Sequence, residues 1–486
     1  MRETVKFRTA VALASIVVMA CAQDSGEPPT PPPPPNFVLV MADDMGWGQT
    51  GYYNHPVLKT PNLDAMAAAG LRFDRFYAGA PNCSPTRATV LTGRTHDRTG
   101  VEDHGFGMHP QERTIARALD EVGYATGHFG KWHLNGLRGP GVPVLADDRR
   151  KPGAFGFDDW LSVTNFFERD PLMSRKGLFV QMRGDSSEIV VDQALEFIGQ
   201  CAAGAEPFLA VLWYGTPHSP WIASEEDRAE FGDLDDRSQH HYGELVAMDR
   251  SIGTLRAGLR ELGIEGNTVL WFTSDNGGLR NIEPGTVGGL RGFKGSLYEG
   301  GIRVPAVIEW PDRIREPRVS SFPASTMDIF PTVAAAAGAP PSAALQPQDG
   351  IDLAPLFTSD PGRREKPIGF RHLGKLALID NDLKVIKAAA DPDTSWEIFD
   401  LGSDPGETDD ISASDPETTA RLIQALKEWN ASVDASAAGK DYPGGDFEPE
   451  SSQPLWWMVH DGYSPYIEEW RSRPEYVTYI ERQFGE

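Results

Sequence analysis

Residues that could bind a metal ion or transfer a proton follow three apolar runs of the sequence. The runs are residues 37–41, 208–214 and 268–273. The residues that follow them include Asp43 and Asp44, then His218, and then Asp275 and Asn276. Continuous apolar runs of this length suit strands that are buried on both faces of a sheet. Because ligands bind at the carboxyl ends of strands in open α/β sheets, we expect these three strand ends to share one face.

The acidic residues of this set indicate a site for a hard cation. Asp43, Asp44 and Asp275 would offer three carboxylates, and Asn276 would offer one amide oxygen. Oxygen ligands suit Ca²⁺ or Mg²⁺, and four such ligands without a thiolate or imidazole argue against Zn²⁺. A turn or a helix cap would explain a single acidic pair. Two such sets directly after apolar runs favour metal binding.

Three residues that carry or can carry a positive charge lie in glycine-rich stretches. Lys131 and His133 belong to G-Y-A-T-G-H-F-G-K-W-H, and Lys294 belongs to L-R-G-F-K-G-S-L-Y-E-G-G. Glycine lets the backbone come close to a ligand. A lone lysine in such a loop is usually a solvated surface charge. Together with a metal ion and His218, however, these residues would form a pocket for a tetrahedral oxyanion.

Cys83 lies in N-C-S-P-T-R, where the residue types indicate the beginning of a helix. Ser84 can serve as the N-cap and Pro85 as the first helical residue, with Arg87 able to turn back towards the cysteine. A helix N-terminus favours an anion and lowers a thiol pKa, so a thiolate nucleophile is one interpretation. A disulfide with Cys201 is another, although Cys201 ends an amphipathic stretch that is more typical of a half-buried structural thiol.

These residues need a scaffold, and the remaining pattern predicts an α/β fold. Helical patterns at residues 112–122 and 186–198 lie between the strand candidates. We expect a large mixed, mainly parallel β-sheet sandwiched by helices in a catalytic domain of residues 36–364. Residues 365–435 indicate a smaller C-terminal α+β subdomain with a short antiparallel sheet and a helix, and residues 436–486 indicate an irregular, aromatic-rich tail.

The N-terminal residues are typical of an export signal. Residues 1–22 combine a basic start with an apolar run that is too short to span a bilayer. V-M-A-C resembles a bacterial lipobox, which would make Cys21 a lipid anchor, while A-C-A also fits cleavage after Ala22. Residues 23–35 form a proline-rich linker, which favours a stiff spacer. We therefore expect an exported bacterial protein that is periplasmic, anchored to the outer membrane as a lipoprotein, or secreted.

The composition excludes one class of partner. The chain of 486 residues has a formal net charge of −25. This acidic balance argues against nucleic acid as a partner, because phosphate binding needs a basic footprint. It does not exclude an anionic substrate, since a few focused cations can dominate a pocket on an acidic protein.

The sequence resembles a known family. C-S-P-T-R-A-T-V-L-T-G-R, residues 83–94, matches the C-x-P-x-R-x4-T-G-R motif of the formylglycine-dependent (type I) sulfatases, which have the alkaline phosphatase superfamily fold. Residues 123–133 resemble the second signature of that family. F-V-L-V-M-A-D-D, T-P-H, T-S-D-N-G and F-K-G-S follow the order of the family, and the resemblance covers residues 36–430.

The resemblance implies a modified nucleophile and a metal ion. Cys83 would be oxidised to formylglycine (3-oxoalanine) by a separate maturation enzyme. One hydroxyl of the aldehyde hydrate would attack sulfur and release the alcohol, and the other would then lose a proton and expel sulfate. The implied ligands of one Ca²⁺ ion are Asp43, Asp44, the modified Cys83, Asp275 and Asn276.

The same resemblance implies roles for the cationic residues. Arg87 and Lys131 would stabilise the hydrate and the oxygens near the metal. His133 would take the proton of the second hydroxyl. His218 and Lys294 would bind the sulfate oxygens and assist departure of the leaving group.

The substrate is less constrained by the residues than the reaction. Export and the proline-rich linker favour a sulfated carbohydrate outside the cytoplasm. Residues 101–107, V-E-D-H-G-F-G, are one candidate specificity loop in which His104 would face the substrate, or else an ordinary surface loop. Two alternative functions are a phosphonate or phosphate monoester hydrolase of the same superfamily, and an inactive, lipid-anchored glycan-binding protein in which Cys83 is never converted.

Overall fold

The computed structural model describes Met1 and residues 33–442, 447 and 453–485. Apart from Met1, the predicted signal of residues 1–22, including Cys21, lies outside the described residues, as does the predicted linker up to residue 32. From Pro34 onward the chain forms one compact unit. No helix in the described part of the chain is both long and apolar enough to cross a membrane.

Strands of one large and one small sheet carry the architecture. In chain order, the strands are β1 (Asn36–Ala42), β2 (Leu71–Tyr77), β3 (Ala125–Lys131), β4 (Leu137–Arg138), β5 (Asp159–Val163), β6 (Leu172–Arg175), β7 (Leu178–Gln181), β8 (Phe208–Trp213), β9 (Thr268–Ser274), β10 (Arg303–Glu309), β11 (Arg318–Ser320), β12 (Ala324–Ser325), β13 (Ile368–His372), β14 (Lys375–Asp380), β15 (Leu383–Lys387), β16 (Glu397–Asp400) and β17 (Leu455–Trp456). The large sheet has the order β11-β2-β10-β9-β1-β8-β3-β5-β6-β7, with β12 also paired to β2. The small sheet has the order β13-β14-β15-β16.

Helices cover both faces of the large sheet. In chain order, the α-helices are α1 (Pro61–Ala69), α2 (Cys83–Thr92), α3 (Ile115–Asp120), α4 (Ser186–Gly204), α5 (Glu225–Arg228), α6 (Asp236–Glu261), α7 (Glu299–Ile302), α8 (Ile329–Ala336), α9 (Pro416–Ala437), α10 (Ile467–Trp470) and α11 (Val477–Phe484). Phe37 and Leu39 of β1 pack in the hydrophobic cluster that includes α2, α3 and α8. Val38 and Val40 pack in the cluster that includes α1, α4 and α6. Because alternate side chains of β1 enter two different cores, its apolar run is unbroken.

The middle of the large sheet is parallel. β1 pairs in parallel with β9 on one side and with β8 on the other, and β8 pairs in parallel with β3. The carboxyl ends of these four strands therefore lie at one edge of the sheet. The predicted mainly parallel α/β sandwich is confirmed.

The sequence-based expectations include only β1, β8 and β9 of this sheet and miss its other strands, among them β2, β3 and β10. β10 runs antiparallel to both β9 and β2, so β2 has the same direction as β9. β10 contains Pro305, which cannot donate to a ladder and weakens the strand pattern. The register with β2 shifts between Val304 and Ala306, on either side of this proline. β2 itself alternates apolar and charged residues, because one of its faces is less buried.

The small antiparallel sheet and its helix agree with the expected C-terminal α+β structure. Its three strand pairs are all antiparallel, and Leu422 and Leu426 of α9 pack against Leu378 and Val385. The Asp415 side chain caps α9 by accepting a hydrogen bond from the backbone of Thr418 at 3.0 Å. The predicted division between residues 364 and 365 precedes β13 and remains a prediction.

Two helices differ in length from the sequence-based expectation. α3 is shorter than residues 112–122, because the side chain of Thr114 caps its N-terminus by accepting from the Arg117 N–H. α4 extends beyond residue 198 to Gly204. Cys201 therefore lies inside the last turns of α4, where it is buried in the core.

The expectation of an irregular tail is wrong for the described residues 453–485. β17 pairs in parallel with β4, and α10 and α11 follow it. Trp457, Trp470 and Tyr476 form a buried cluster with Leu137 and Val142 of the main body. This segment is ordered because its aromatic side chains are buried. Those residues do not recur at the spacing of a helix or a strand, so the sequence pattern does not predict the structure.

We predict that a buried ion cluster joins the small sheet to the main body. Nζ of Lys384 in β15 lies 3.0 Å from Glu299 Oε1 and 2.8 Å from Glu407 Oε1, and all three side chains are buried. Lys384→Ala would remove the counter-charge that two buried carboxylates share and leave Glu299 with only Arg303, at 3.6 Å, so the free energy of unfolding should fall by about 3–5 kcal/mol in urea denaturation. Lys427→Ala, at an exposed position of α9, should change it by less than about 0.5 kcal/mol. Equal losses in both variants would contradict the role of the cluster.

Candidate active site

Two neighbouring parallel strands bring the predicted metal ligands together. β1 ends at Ala42, directly before Asp43 and Asp44. β9 ends at Ser274, directly before Asp275 and Asn276. Since β1 and β9 are paired in parallel register from Asn36 to Ala42, both sets leave the sheet at the same edge.

Five further predicted residues reach this edge from other elements. Lys131 is the last residue of β3, and His133 follows two positions later. His218 lies in the loop after β8, and Lys294 lies in the loop between β9 and α7. Cys83 begins α2 after β2, which runs in the same direction as β9. The structure therefore brings all the predicted catalytic and metal-binding residues to one edge of the sheet.

Buried carboxylates and cations are paired one to one in this cluster. Three cationic side chains face three carboxyl groups. Of these six side chains, Lys294 is the most exposed, at 22%. The three pairs, each with an N–O distance of 2.6 Å, are Lys131 with Asp43, Arg87 with Asp275, and Lys294 with Asp44.

The turn after β1 is held in a backbone conformation that is rare for residues other than glycine. Asp44 has φ of 73°, in the left-handed region. Its N–H donates to Asp275 Oδ1 at 3.1 Å, and the N–H of Met45 donates to Ser274 Oγ at 3.0 Å. Hydrogen bonds from the end of β9 therefore fix the turn that presents two consecutive carboxylates. Such strain is typical of functional sites.

The oxygen atoms of this cluster fit a hard cation. Asn276 Nδ2 donates to Asp44 Oδ1 at 2.7 Å, which leaves Asn276 Oδ1 free to accept. Asn276 Oδ1 and Asp43 Oδ1 are buried and accept no hydrogen bond from any described residue. A buried acceptor without a partner is costly, and a divalent cation would satisfy both atoms. Cys83 Sγ and one oxygen each of Asp43 and Asp275 lie within 4.8 Å of one another.

The helix that carries Cys83 begins two residues earlier than the sequence predicts. Cys83 is the first residue of α2 and Asn82 is its N-cap, so Ser84 and Pro85 lie inside the first turn. Proline is tolerated there because the first N–H groups of a helix have no intrahelical partner. The Ser84 hydroxyl instead accepts a hydrogen bond from the Gly105 N–H at 2.9 Å, which ties the 101–107 loop to α2.

The environment of Cys83 excludes two simple interpretations of its thiol. Cys83 and Cys201 are both buried and free, so the disulfide between them is wrong. Burial raises the pKa of the Cys83 thiol, and the charges of Lys131 and Lys294 oppose that rise without reversing it. The thiol is therefore protonated at neutral pH, whereas a thiolate nucleophile requires a lowered pKa.

His104, predicted only as a substrate residue or a surface residue, lies against the cysteine. Its Nδ1 is 3.3 Å from Cys83 Sγ, and its ring makes an edge-to-face contact with His133 at a centroid distance of 4.5 Å. Arg138 holds the carbonyl of His104 with Nε at 3.1 Å and Nη2 at 3.0 Å. Arg138 stands outside every motif, so only the fold reveals this support.

The histidines of the site are neutral. Burial and the nearby charge of Lys131 lower the pKa of His133 well below its usual range, and neither of its ring nitrogens has a hydrogen-bond partner among the described residues. Burial, together with Lys294, lowers the pKa of His218 to about 4. His218 Nδ1 donates to the Ser219 carbonyl at 2.5 Å, so Nε2 faces the cluster, 3.8 Å from Asp44 Oδ2.

The carboxyl groups differ in how readily they ionise. Burial alone would raise the pKa of Asp43, but the positive charges of Lys131 and Arg87 hold it below its usual range. Burial and the adjacent Asp43 carboxylate raise the pKa of Asp275 to about 7. Asp275 is therefore the carboxyl group whose ionisation would gain most from an added cation.

Phe166 is a second contact residue that the sequence does not announce. Its ring stacks on the imidazole of His218 with a centroid distance of 4.8 Å and an interplanar angle of 9°. It stands in the loop after β5, outside the motifs, and an isolated phenylalanine gives no signal of such a contact. It also lines a neighbouring cleft.

Comparison with known proteins identifies the family. The Sulfatase family profile matches residues 35–339. N-acetylgalactosamine-6-sulfatase of Canis lupus familiaris is 35% identical over 356 residues, 66% of each chain, and arylsulfatase A of Homo sapiens is 31% identical over 461 residues, 81% of this chain and 86% of that one. The crystal structure of Ps i-CgsB in complex with k-i-k-neocarrahexaose has a TM-score of 0.74 at 24% identity, over 92% of this chain and 99% of the other. The chain belongs to the sulfatase family, whose members are sulfuric ester hydrolases.

Proposed function

We propose that this protein hydrolyses sulfate monoesters of a sulfated carbohydrate, using a formylglycine at position 83 and one bound Ca²⁺ ion. One observation carries the proposal. Cys83 is a protonated, buried thiol at a helix start, and its Sγ lies within 4.8 Å of carboxylate oxygens of Asp43 and Asp275. That position suits the precursor of a modified nucleophile beside a cation better than it suits a working thiol.

The charge balance of the site supports a bound cation. Arg87, Lys131 and Lys294 neutralise the three carboxylates, so the cluster alone has little net attraction for an anion. A divalent cation held by the three carboxylates and the Asn276 amide oxygen would supply the additional positive charge and polarise the sulfate. Fixed charges in a buried pocket stabilise charge that develops during the reaction far better than water does.

Arg87 and Lys131 have positions that suit holding the site together. Both side chains are fully buried. Arg87 donates through Nη1 to the Lys131 carbonyl at 3.1 Å, and its guanidinium stacks over Trp213 at 5.1 Å. In this proposal they fix the carboxylates and add positive potential near position 83.

Lys294 and His218 have positions that suit contact with the substrate. Their side chains are 22% and 13% exposed, unlike the fully buried cations behind them. Lys294 would donate to a sulfate oxygen. Because the single ring proton of neutral His218 is on Nδ1, His218 would first take up a second proton from solvent at Nε2 and then pass it to the leaving oxygen. The charge of Lys294 lowers the pKa of His218, and an anionic substrate beside Lys294 offsets that effect.

Two neutral imidazoles, those of His133 and His104, lie beside position 83 and could act on the modified side chain. Formylglycine, as its hydrate, would supply a hydroxyl nucleophile there and a second hydroxyl whose proton must be removed for sulfate to leave. His133 has no hydrogen bond to a described residue that would have to break, which favours it as the base. His104, whose pKa burial and Lys131 lower to about 2, lies 3.3 Å from Cys83 Sγ and would orient the modified side chain.

A carbohydrate substrate is supported by what the similar proteins bind or act on. The canine relative is named for N-acetylgalactosamine 6-sulfate, and the Ps i-CgsB complex holds k-i-k-neocarrahexaose. The predicted export signal and the proline-rich linker within residues 1–35 would suit an enzyme that meets such glycans in the periplasm or at the outer membrane. The proposal also requires a formylglycine-generating maturation enzyme as a partner, and it admits a lipid anchor at Cys21.

The modification at Cys83 can be measured directly. In active protein, the tryptic peptide that contains Cys83 should be about 18 Da lighter than its sequence mass, because an aldehyde replaces the thiol. Cys83→Ala should lower kcat/KM for an aryl sulfate by about a thousandfold or more. Cys201→Ser is the matched control and should retain both the mass shift and the activity. Active protein with an unmodified Cys83 would exclude the proposed nucleophile and favour a different one.

The cation can be tested without measuring activity. Ca²⁺ at about 100 times its Kd should increase the free energy of unfolding by about 2.7 kcal/mol, and chelation with EGTA should reverse the gain. Asp275→Asn removes one of the three carboxylates and should abolish most of the gain. Asp393→Asn, at an exposed position of the loop before β16, should leave it intact. A response that is unchanged in Asp275→Asn would place the cation elsewhere.

The chemical class of substrate can be separated from its closest rival. A phosphate monoester brings one more negative charge than a sulfate monoester into a cluster that already holds three carboxylates. We therefore expect kcat/KM for an aryl sulfate to exceed that for the matching aryl phosphate at least about tenfold. A reversed ratio would support the phosphate or phosphonate hydrolase, and a fully unconverted Cys83 without turnover would support an inactive glycan-binding protein. Sulfate release from a panel of sulfated oligosaccharides then identifies the glycan.

A further inference from the structure

A cleft next to the active site is formed by the C-terminal tail and the loop after β5. The cleft has a volume of about 640 Å³, which is within the range of small-molecule binding sites. Residues 166–172 form one wall and residues 472–482 form the other. Phe166 lines the cleft and also stacks on His218, so the cleft adjoins the residue proposed to meet the substrate.

The cleft is positively charged on a protein that is otherwise strongly acidic. It contains four arginines and three acidic residues, whereas the whole chain has a formal net charge of −25. Burial and the neighbouring Glu244 carboxylate raise the pKa of Glu168 well above its usual range, which reduces the negative charge of the cleft further. The charged lining residues are Arg169, Arg183, Arg473 and Arg482, with Glu168, Asp170 and Glu475.

Most of these arginines have hydrogen-bond donors to spare. Arg473 is engaged, because it bonds Glu475 at 2.6 Å and Gln181 at 2.8 Å. Arg169 and Arg183 each approach an aspartate only at 3.9 Å, which is too long for a hydrogen bond. Arg482 makes no ion pair or hydrogen bond with the described part of the chain. The guanidinium groups of Arg169, Arg183 and Arg482 can therefore donate hydrogen bonds to an anionic ligand. Their planar geometry suits sulfate and carboxylate groups.

The walls of the cleft are preformed and partly aromatic. The Tyr476 hydroxyl donates to the Gly141 carbonyl at 3.0 Å, and the Gly141 N–H donates to the Phe166 carbonyl at 2.8 Å. This chain of hydrogen bonds fixes the tail to the loop that carries Phe166. Tyr479 adds a second, partly exposed ring to the tail side. Fixed aromatic faces beside cationic donors suit a sugar ring that carries an anionic group.

We propose that this cleft is a second carbohydrate subsite, which binds a neighbouring anionic sugar of the same chain while the target sulfate lies at His218 and Lys294. The second anionic group is a sulfate or a carboxylate. This inference rests on the proposed function and deepens it, because it makes the substrate an anionic oligosaccharide rather than a small sulfate ester. Phe166 then serves both sites, since it positions His218 and forms the floor between two adjacent sugars.

The test compares two substrates that differ in reach. One is an aryl sulfate, which is too small to extend beyond His218 into the cleft. The other is the sulfated tetrasaccharide that the wild type hydrolyses fastest in the glycan panel. The Arg169→Ala, Arg482→Ala double variant should lower kcat/KM for the tetrasaccharide about tenfold more than kcat/KM for the aryl sulfate. Matched tetrasaccharides whose second group is a sulfate or a carboxylate distinguish the two sources of charge.

Arg315→Ala is the matched control. Arg315 is exposed and lies in the loop after β10, which runs antiparallel to β9, so it stands at the opposite edge of the sheet from the active site. This variant should behave as the wild type on both substrates. Equal losses on both substrates in the double variant, or no loss on either, would overturn the subsite. A wild type that hydrolyses no tetrasaccharide faster than the aryl sulfate would overturn it as well.

Failure of the proposed function would give a different result. If the wild type, with Cys83 converted, hydrolyses no sulfate ester, the sulfatase assignment fails rather than the subsite. Calorimetry of dextran sulfate binding to the wild type, the double variant and Arg315→Ala then tests whether the cleft binds anions. The subsite predicts that only the double variant binds the polyanion about tenfold more weakly. Equal affinity in all three proteins would remove the cleft as an anion site.

Discussion

The common direction of four neighbouring strands is the constraint on which the rest of the structure depends. β9, β1, β8 and β3 are parallel, so every loop that follows them leaves the same edge of the sheet. A reversal of any one strand would move its site residues to the opposite edge. The antiparallel β10 restores the direction of β2, and this is what brings α2 and Cys83 to the same place.

Charge balance is the second requirement, and it follows from the first. Asp43, Asp44 and Asp275 are brought together out of water, which would be prohibitively costly without counter-charges. Arg87, Lys131 and Lys294 meet them at 2.6 Å, each from a different element. The side chains that neutralise one another in the fold are therefore the same ones to which the proposed function assigns the cation and the sulfate. Stability and reactivity depend on one set of contacts.

The small sheet and the tail support this edge from two sides. Lys384 binds Glu299 of α7, which follows the loop that carries Lys294. The tail packs its tryptophans against residues 137–145 and pairs β17 with β4, whose Arg138 holds the His104 carbonyl. Neither segment contributes a charged residue to the cluster itself. Their effect is to fix the loops that surround the substrate position.

The sequence by itself determined the fold class and the charged residues that follow the central strands, because apolar runs and the residues after them are local features. It missed β2 and β10, since alternation in one and Pro305 in the other obscure the strand pattern, and it missed the order of the tail, whose aromatic residues have no period. Only the tertiary structure decided that His104 touches Cys83, that Phe166 stacks on His218, and that arginines from two distant segments line one cleft. These contacts join residues far apart in the chain, and packing alone brings them together.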